Sequence, residues 1–137
     1  MCGILAVLNN QNTKIVDECE LCLNIMKHRG PDHQSACAHN NITLGHCRLS
    51  IIDLDSSANQ PFIYENLALV YNGEIFNYPE IKRELELLGN IFETKSDTEV
   101  VIKAYAEWGA NCFKKFNGMW TLVIHDRKKD ELIISRD

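Results

Sequence analysis

Apolar residues follow two different spacings in the first thirty positions, and each spacing predicts one element. Residues 3–8, GILAVL, form a continuous apolar run that is typical of a strand buried on both faces. From residue 14 to residue 28, apolar residues recur three and four positions apart, which places them on one face of a helix. That face carries Ile15, Cys19, Cys22, Leu23 and Met26, and Gly30-Pro31 ends the pattern.

The rest of the chain is predicted to form short strands, two further helices and several hairpins. Strand-like segments occupy 37–39, 42–47 and 49–52, hairpin strands occupy 62–64 and 67–73, and a last hairpin joins MWTLVIHD to ELIISRD across the charged turn at 127–130. Because the hairpins are antiparallel and the helices can cover them, the pattern predicts an α+β protein with layered antiparallel sheets.

Both of these helices are bounded by residues that commonly start or end a helix. Pro79 lies in the first turn of a predicted helix at 79–88, and Gly89 follows its end. The S-x-x-E sequence that starts at Ser96 has the spacing of a capping box and opens a helix that ends at Gly109. The residues predicted to face inward are Leu85 and Leu88, then Ile102, Tyr105 and Ala106.

Composition narrows the class of protein. With 137 residues, 45% of them hydrophobic, the chain has the size of one globular domain. A formal net charge of -5 offers no basic patch for nucleic acid or an anionic membrane, and no apolar run approaches the roughly 20 residues of a membrane-spanning helix. Since a signal-peptide pattern is also absent, we expect a cytoplasmic protein with reduced cysteines. The chain stops directly after a predicted strand, so we also expect a domain that lacks its last strands.

Two short segments carry groups suited to acyl transfer. If Met1 is removed, Cys2 has a free α-amine that can serve as the base for its own thiol. Asn72-Gly73 offers a side-chain amide and a backbone N–H, which are the donors that a developing oxyanion needs. The alternatives are a small residue that leads into a strand at Cys2 and an ordinary Asn-Gly hairpin turn.

Three charged residues match the charges of an amino-acid substrate. The guanidinium of Arg48 fits an α-carboxylate, and the carboxylates of Glu74 and Asp97 fit an α-ammonium. The alternatives are a surface ion pair for Arg48, a solvated strand residue for Glu74 and a first-turn acid favoured by the helix dipole for Asp97.

A zinc site is the weaker interpretation of the cysteines and histidines. Cys19 and Cys22, with His28 and His33 downstream, do not have the spacing of a zinc finger, and both cysteines fall on the apolar side of a predicted helix. We interpret them as core residues. His46 and His125 are likewise interpreted as packed strand residues rather than as metal ligands, so no metal site is expected.

Several segments in a fixed order resemble class II glutamine amidotransferase domains. These segments are MCGI at the start, HRGPD at 28–32, GHCRLSIID at 45–53, ANQP at 58–61, YNGEIFNY at 71–78, SDTEV at 96–100 and GMW at 118–120. The resemblance extends over residues 1–137 and is greatest to the N-terminal glutaminase domain of glutamine-hydrolysing asparagine synthetases. It implies the fold of N-terminal nucleophile hydrolases, a four-layer αββα sandwich with antiparallel sheets.

The resemblance also implies a reaction and a role for each candidate residue. After removal of Met1, Cys2 attacks the side-chain amide of glutamine, ammonia leaves, and water hydrolyses the glutamyl thioester. Asn72 and the Gly73 N–H form the oxyanion hole, and the remaining positions bind the substrate. The residues implied for substrate binding are Arg48 for the carboxylate, Glu74 and Asp97 for the ammonium, and the backbone of Leu49, Ser50, Ile51 and Ile52 along the pocket.

The chain departs from the family pattern in ways that bear on its partners. Ala6 replaces a usual glycine, and Cys47 replaces a usual glutamate or threonine. The resemblance implies a second, ATP-dependent synthetase domain that converts aspartate to asparagine, and this chain lacks its phosphate-binding loop. ATP and magnesium are therefore expected only in that domain, and no cofactor is expected here. The alternative is a non-catalytic glutamine-binding or regulatory module of an amidotransferase complex.

Overall fold

The computed structural model describes residues 2–9, 15–51 and 53–137, with only the backbone of Ile15. The strands are β1 (Gly3–Leu8), β2 (His33–His39), β3 (Ile42–Arg48), β4 (Phe62–Tyr64), β5 (Leu67–Ile75), β6 (Gly118–Asp126) and β7 (Glu131–Arg136), and the α-helices are α1 (Ile15–Ile25), α2 (Tyr78–Leu87) and α3 (Asp97–Trp108). Short 3₁₀ helices occupy Lys27–Arg29, Ser56–Ala58 and Gly109–Lys115.

The strands form two antiparallel sheets. The first sheet has the order β1-β3-β2, with Gly3 opposite Cys47 and His33 opposite Arg48. The second sheet has the order β4-β5-β6-β7, with Gly73 opposite Trp120. Strand β3 is central in the first sheet, and β5 and β6 are central in the second, so residues at the ends of these strands are held from both sides.

Apolar side chains join four layers. Leu23 of α1 is buried against Gly45 of β3, where an added Cβ would lie 3.1 Å from the Leu23 Cδ1. The space between the two sheets is filled by Ile42, Leu44, Ala68, Val70 and Val123. The second sheet packs its other face on α2 and α3, through residues that include Leu69, Leu122, Leu85 and Ile102. This order of layers confirms the predicted α+β, αββα sandwich.

Several predicted boundaries and orientations are wrong. Strand β1 is not buried on both faces, since it lies at the edge of the first sheet and Leu8 is 63% exposed. Residues 49–51 lie outside any strand, whereas β2 starts already at His33. The predicted helix start at residue 14 and the inward side chain of Ile15 lie outside the described residues. Three residues predicted to face inward are instead exposed, namely Cys22, Leu88 and Ala106.

The start of α3 is as predicted, but only half of the capping box forms. The Ser96 side chain caps the helix by accepting a hydrogen bond from the Thr98 N–H at 3.1 Å. The Glu99 carboxylate does not reach back to Ser96. It accepts instead from the backbone N–H groups of Glu93 and Thr94 and pairs with Lys103 at 2.8 Å. The buried Glu99 carboxylate therefore ties the loop before α3 to the helix through its hydrogen bonds to Glu93 and Thr94.

All six thiols are free, and those of Cys19, Cys47 and Cys112 are buried. Burial raises the pKa of each of these three groups, to about 12 for Cys112, so they stay protonated and unreactive at neutral pH. Among the described residues, no helix is long and apolar enough to span a membrane.

Candidate active site

A cleft of about 290 Å³ opens at one end of the sandwich. Cys2 enters it directly before β1, Arg48 at the end of β3, residues 72–74 near the end of β5, and Asp97 at the first position of α3. The complete lining is Cys2, Arg48, Leu49, Ile51, Ala58, Gln60, Tyr71, Asn72, Gly73, Glu74, Ser96, Asp97, Thr98, Met119, Trp120, Thr121 and Asp137. Both sheets and one helix N-terminus thus converge on a single space.

Cys2 is held at both its sulfur and its carbonyl. The Leu49 N–H donates to the Cys2 Sγ at 3.3 Å, and the Sγ lies 3.7 Å from the Leu49 carbonyl oxygen. The Arg29 guanidinium donates to the Cys2 carbonyl, from Nη2 at 3.3 Å and from Nε at 3.4 Å. These bonds fix the half-buried thiol at the cleft wall.

Arg48 is not a surface residue, since only 6% of it is exposed. Its Nη1 donates to the Asp55 carbonyl at 2.8 Å and to the Asn59 Oδ1 at 2.6 Å, and its Nη2 donates to the Asp53 carbonyl. Within the described residues, the Nε–H and one N–H of Nη2 are left without a protein acceptor. A guanidinium with two such donors can bind a carboxylate in a two-toothed manner.

Asn72 and Gly73 lie inside β5, so the hairpin-turn alternative is wrong. They pair with Thr121 and Trp120 of β6. A Cβ added at Gly73 would lie 2.3 Å from the Met119 carbonyl oxygen and 2.7 Å from the Trp120 Cα, so only glycine allows this close approach of the two strands. The predicted end of the strand at residue 73 is also wrong, because β5 continues to Ile75 and carries Glu74 in an exposed position at the cleft.

Asp97 is a buried acid, 5% exposed, that is held by two donors from β5. Its Oδ2 accepts from the Tyr71 hydroxyl at 2.7 Å and from the Ile75 N–H at 3.2 Å. Burial raises the pKa of Asp97, and the hydrogen bonds from Tyr71, Ile75 and Thr98 oppose this rise. The pKa of Tyr71 is raised as well, first by burial and then by Asp97, so its hydroxyl stays protonated and acts as the donor.

The cleft therefore contains the Arg48 guanidinium, the Cys2 thiol and three carboxylates, those of Glu74, Asp97 and Asp137. Glu74 and Asp97 come from the second sheet and α3, and Arg48 comes from the first sheet. Opposite charges on the two sides of a cleft are complementary to the ammonium and carboxylate of a free amino acid.

One of the predicted pocket residues does not line the cleft, and another lies outside the described residues. Ser50 turns its N–H to the Asp32 Oδ2, at 2.7 Å, and is absent from the lining. Ile52 lies outside the described residues, as does Met1. The other eight predicted site residues all line the cleft, namely Cys2, Arg48, Leu49, Ile51, Asn72, Gly73, Glu74 and Asp97.

The sequence interpretation missed several residues of the site. Gln60 accepts from the Tyr71 N–H at 2.6 Å and donates to the Thr98 Oγ1 at 3.3 Å, which links β5 to the start of α3. The ANQP segment contains Gln60, and this was the available signal. The pairing of β6 with β5 brings Trp120 to the cleft, and the Trp120 N–H donates to the Asp137 Oδ1 at 3.1 Å. Asp137 therefore lines the cleft as well.

His46 lies in β3 behind the cleft and is completely buried, as predicted. Burial lowers its pKa to about 4, and the charge of Arg48 acts in the same direction. The ring is therefore neutral, and it adds no second positive charge beside the Arg48 guanidinium.

The αββα sandwich, with a cysteine directly before the first strand, defines the fold of N-terminal nucleophile hydrolases. The sequence profile of the glutamine amidotransferase domain matches residues 1–137, and the chain belongs to this family. The resemblance noted from the motifs is thereby confirmed.

Known relatives agree with this assignment. The chain is 38% identical over 142 residues to the glutamine-hydrolyzing asparagine synthetase of Asparagus officinalis and 36% identical over 156 residues to the amidase chry2 of Gibberella zeae. All of the chain is aligned in both cases, but it spans only 23% and 22% of these relatives. A solved structure, the glutamine phosphoribosylpyrophosphate amidotransferase of B. subtilis, matches 99% of the chain with a TM-score of 0.83 at 22% identity and over 37% of its own length. That likeness supports the fold alone.

Proposed function

We propose that this chain hydrolyses glutamine to glutamate and ammonia, with Cys2 as the nucleophile after removal of Met1. The observation that carries the proposal is the convergence of Cys2, the Asn72-Gly73 pair and the charges of Arg48 and Asp97 on one cleft. Membership of the glutamine amidotransferase family supplies the substrate class.

The proposed reaction uses the α-amine of Cys2 as its proton carrier. The amine takes the thiol proton, and the sulfur attacks the carbon of the glutamine side-chain amide. The C–N bond then breaks as the ammonium returns the proton to the leaving nitrogen, so that ammonia departs and a thioester remains. Water attacks the thioester with the amine as base, and glutamate and the free thiol are regenerated.

The surrounding groups have separate proposed roles. The Asn72 amide and the Gly73 N–H stabilise the oxyanion of each tetrahedral intermediate. Arg48 binds the α-carboxylate through its two remaining N–H groups, because its other donors are engaged by the loop carbonyls and Asn59. Glu74 and Asp97 bind the α-ammonium, and Tyr71 holds the Asp97 carboxylate in place.

The ammonia acceptor belongs to a second unit in this proposal. The two sequence relatives that share this domain are about four times as long as the chain, and one of them is named as an asparagine synthetase. We assign the ammonia to an ATP-dependent synthetase domain that converts aspartate to asparagine, and ATP and magnesium to that domain. We place the activity in the cytoplasm, where the free thiols remain reduced.

The test is glutamate release from glutamine by the purified chain, with the intact mass recorded to establish the state of Met1. We expect Cys2→Ala to abolish release and Asn72→Ala to lower the rate by roughly 10²–10³, as loss of an oxyanion donor does elsewhere. Cys22→Ala is the matched control, since this thiol is exposed on α1, away from the cleft, and its loss should leave the rate unchanged.

Full activity of Cys2→Ala would overturn the proposed mechanism. Saturable glutamine binding without any glutamate release, in a chain whose mass shows a free Cys2, would overturn the proposed hydrolysis and support a glutamine-binding module instead.

A further inference from the structure

A compact group of ligand-type side chains lies at the opposite end of the sandwich from the cleft. His39 is the last residue of β2, His125 is the penultimate residue of β6, and Asp130 closes the turn between β6 and β7. We call these three residues the His-His-Asp cluster. Strand β2 runs from His33, opposite Arg48 at the cleft, to His39, so about 20 Å of strand separates the cluster from the candidate active site.

The spacing of the three side chains suits a metal ion. One ligand atom from each residue lies within 4.8 Å of the others, and within the described residues this is the one such group of His, Cys, Asp and Glu. The His125 Nε2 is 3.3 Å from the Asp130 Oδ1. Two ligands of a tetrahedral zinc ion with bonds of about 2.05 Å are separated by about 3.3 Å, so this pair already has the required spacing.

The third residue of the cluster, His39, has an unsatisfied ring nitrogen. The His39 Nδ1 is buried and has no hydrogen-bond partner among the described residues. A buried polar atom without a partner is costly, and coordination through Nδ1 would supply the partner that it lacks. The rings of His39 and His125 are 5.4 Å apart, in an edge-to-face arrangement that keeps both within reach of one ion.

We propose that the His-His-Asp cluster binds a divalent transition-metal ion of the zinc type, with water as the fourth ligand. Two imidazoles and one carboxylate match the ligand preference of zinc, whereas magnesium prefers an all-oxygen shell. Asn40 donates to the Asp130 Oδ1 at 3.3 Å and would orient the carboxylate from outside. This proposal revises two expectations from the sequence, namely the absence of a metal site and the purely packing role of His125.

Nearby cations set a limit on the affinity. Arg127 extends toward Cys37, with its Nη2 3.8 Å from the Cys37 Sγ. Its positive charge disfavours a further positive charge at His125. Lys129 is partly neutralised by Asp126, at 3.7 Å. The single carboxylate in the cluster offsets one of these positive charges, so we expect micromolar rather than tighter binding.

The site would act on stability rather than on catalysis. His39 belongs to the first sheet, His125 to the second and Asp130 to the turn between β6 and β7, so one ion would join the two sheets. Because the ion binds the folded state only, it stabilises that state in proportion to the logarithm of its concentration over the dissociation constant. The candidate active site is too distant for a direct effect on glutamine.

The experiment titrates the chelator-treated chain with Zn²⁺ by calorimetry and with Co²⁺ by visible absorption, and it records Tm with and without Zn²⁺. We expect one ion per chain with a dissociation constant below about 10 µM, and a rise in Tm of about 5 °C or more at Zn²⁺ a hundredfold above that constant. A four- or five-coordinate Co²⁺ spectrum should appear at the same stoichiometry.

His39→Gln and Asp130→Asn should each weaken binding at least tenfold and remove the rise in Tm. Both side chains are partly exposed, and asparagine tolerates the positive φ of 56° at position 130, so these variants are expected to fold. His28→Gln is the matched control, because His28 is exposed in the Lys27–Arg29 turn and should leave binding unchanged. Absence of stoichiometric binding, or binding that both cluster variants retain, would overturn the proposal.

Discussion

Replacement of Tyr71 by phenylalanine tests whether the Tyr71 hydroxyl keeps the Asp97 carboxylate ionised for substrate binding. Tyr71→Phe removes one hydroxyl and leaves the buried ring in place. That hydroxyl donates to the Asp97 Oδ2 at 2.7 Å, and both residues are at least 95% buried, so water has little access to replace the lost bond. The Ile75 N–H, at 3.2 Å, remains as the second donor and keeps the carboxylate in position.

The magnitude follows from the charge of the acceptor. A hydrogen bond to a charged group contributes about 1.5–3 kcal/mol, and a tenfold change in the proton affinity of a carboxylate corresponds to about 1.4 kcal/mol. Burial already raises the pKa of Asp97, and Tyr71 is the strongest of the hydrogen bonds that oppose it. Loss of the hydroxyl therefore raises this pKa further and neutralises more of the carboxylate at a given pH.

The assay is the KM and kcat of glutamate release as a function of pH. We expect the KM of Tyr71→Phe to rise by up to about tenfold on the acid side of the profile, where the Asp97 carboxylate becomes protonated, since a tenfold rise corresponds to about 1.4 kcal/mol of substrate binding. The acid limb of the KM profile should move to higher pH, because loss of the Tyr71 hydrogen bond raises the pKa of Asp97. The kcat at saturating glutamine should change less than about threefold, because Tyr71 does not contact the Cys2 thiol in the proposed mechanism.

Tyr105→Phe provides the matched control, since Tyr105 lies on the same helix as Asp97 but stacks on Phe113 outside the cleft. An unchanged KM profile in Tyr71→Phe would refute the assigned link between Tyr71 and substrate binding. A lower kcat together with a lower free energy of unfolding, with no movement of the acid limb of the KM profile, would show that Tyr71 acts only on the fold.

Two further predictions concern strand approach and buried charge. Gly73→Ala should lower the free energy of unfolding by about 2 kcal/mol and reduce glutamate release at least tenfold, because the new Cβ would lie 2.3 Å from the backbone of β6. The stability control in urea unfolding is Gly3→Ala, whose new Cβ would make ordinary contacts of 3.5 Å. Equal stability of the two variants would contradict the steric argument. Glu99→Gln should cost about 2–4 kcal/mol at pH 7, because it leaves the buried Lys103 ammonium unpaired. Burial raises the pKa of Glu99, but the bonds from Lys103, Glu93 and Thr94 outweigh it and hold the pKa below its usual value, so this stabilisation is present above about pH 4.5 and is lost as the pH falls further. A Glu99→Gln deficit that is the same at pH 3 and pH 7 would contradict the ion-pair explanation.

The segment after β3 shows where strand propensity is overridden. Residues 49–52 are apolar and β-branched in part, which predicted a strand. In the structure, the Leu49 N–H donates to the Cys2 Sγ and the Ser50 N–H donates to the Asp32 carboxylate. These donors are used for the site and its support, so they are not available to a neighbouring strand.

Asn72-Gly73 shows the opposite case, in which a turn signal occurs inside a strand. As a dipeptide, Asn-Gly is the strongest short-range sign of a hairpin. What keeps Gly73 in a strand is its close approach to Met119 and Trp120, almost fifty residues later in the chain. This approach arises only when β5 pairs with β6. The ordered set of motifs assigned both residues to the site, and both line the cleft, whereas the local pattern alone indicated a turn.

The residues that the sequence could not assign share one physical property, which is that their partners are distant in the chain. Cys2, Arg48 and Asp97 lie at the ends of elements, where spacing and capping patterns make a residue stand out. Tyr71 instead looks like any other apolar strand position. Its role depends on the hydrogen bond from its hydroxyl to Asp97, which lies 26 residues later in the chain at the start of α3. The His-His-Asp cluster is the extreme case, since His39 and His125 are each ordinary strand residues until the two sheets pack. Side-chain chemistry that arises only from packing between sheets is thus invisible to periodicity, and it is there that the structure adds most to the sequence.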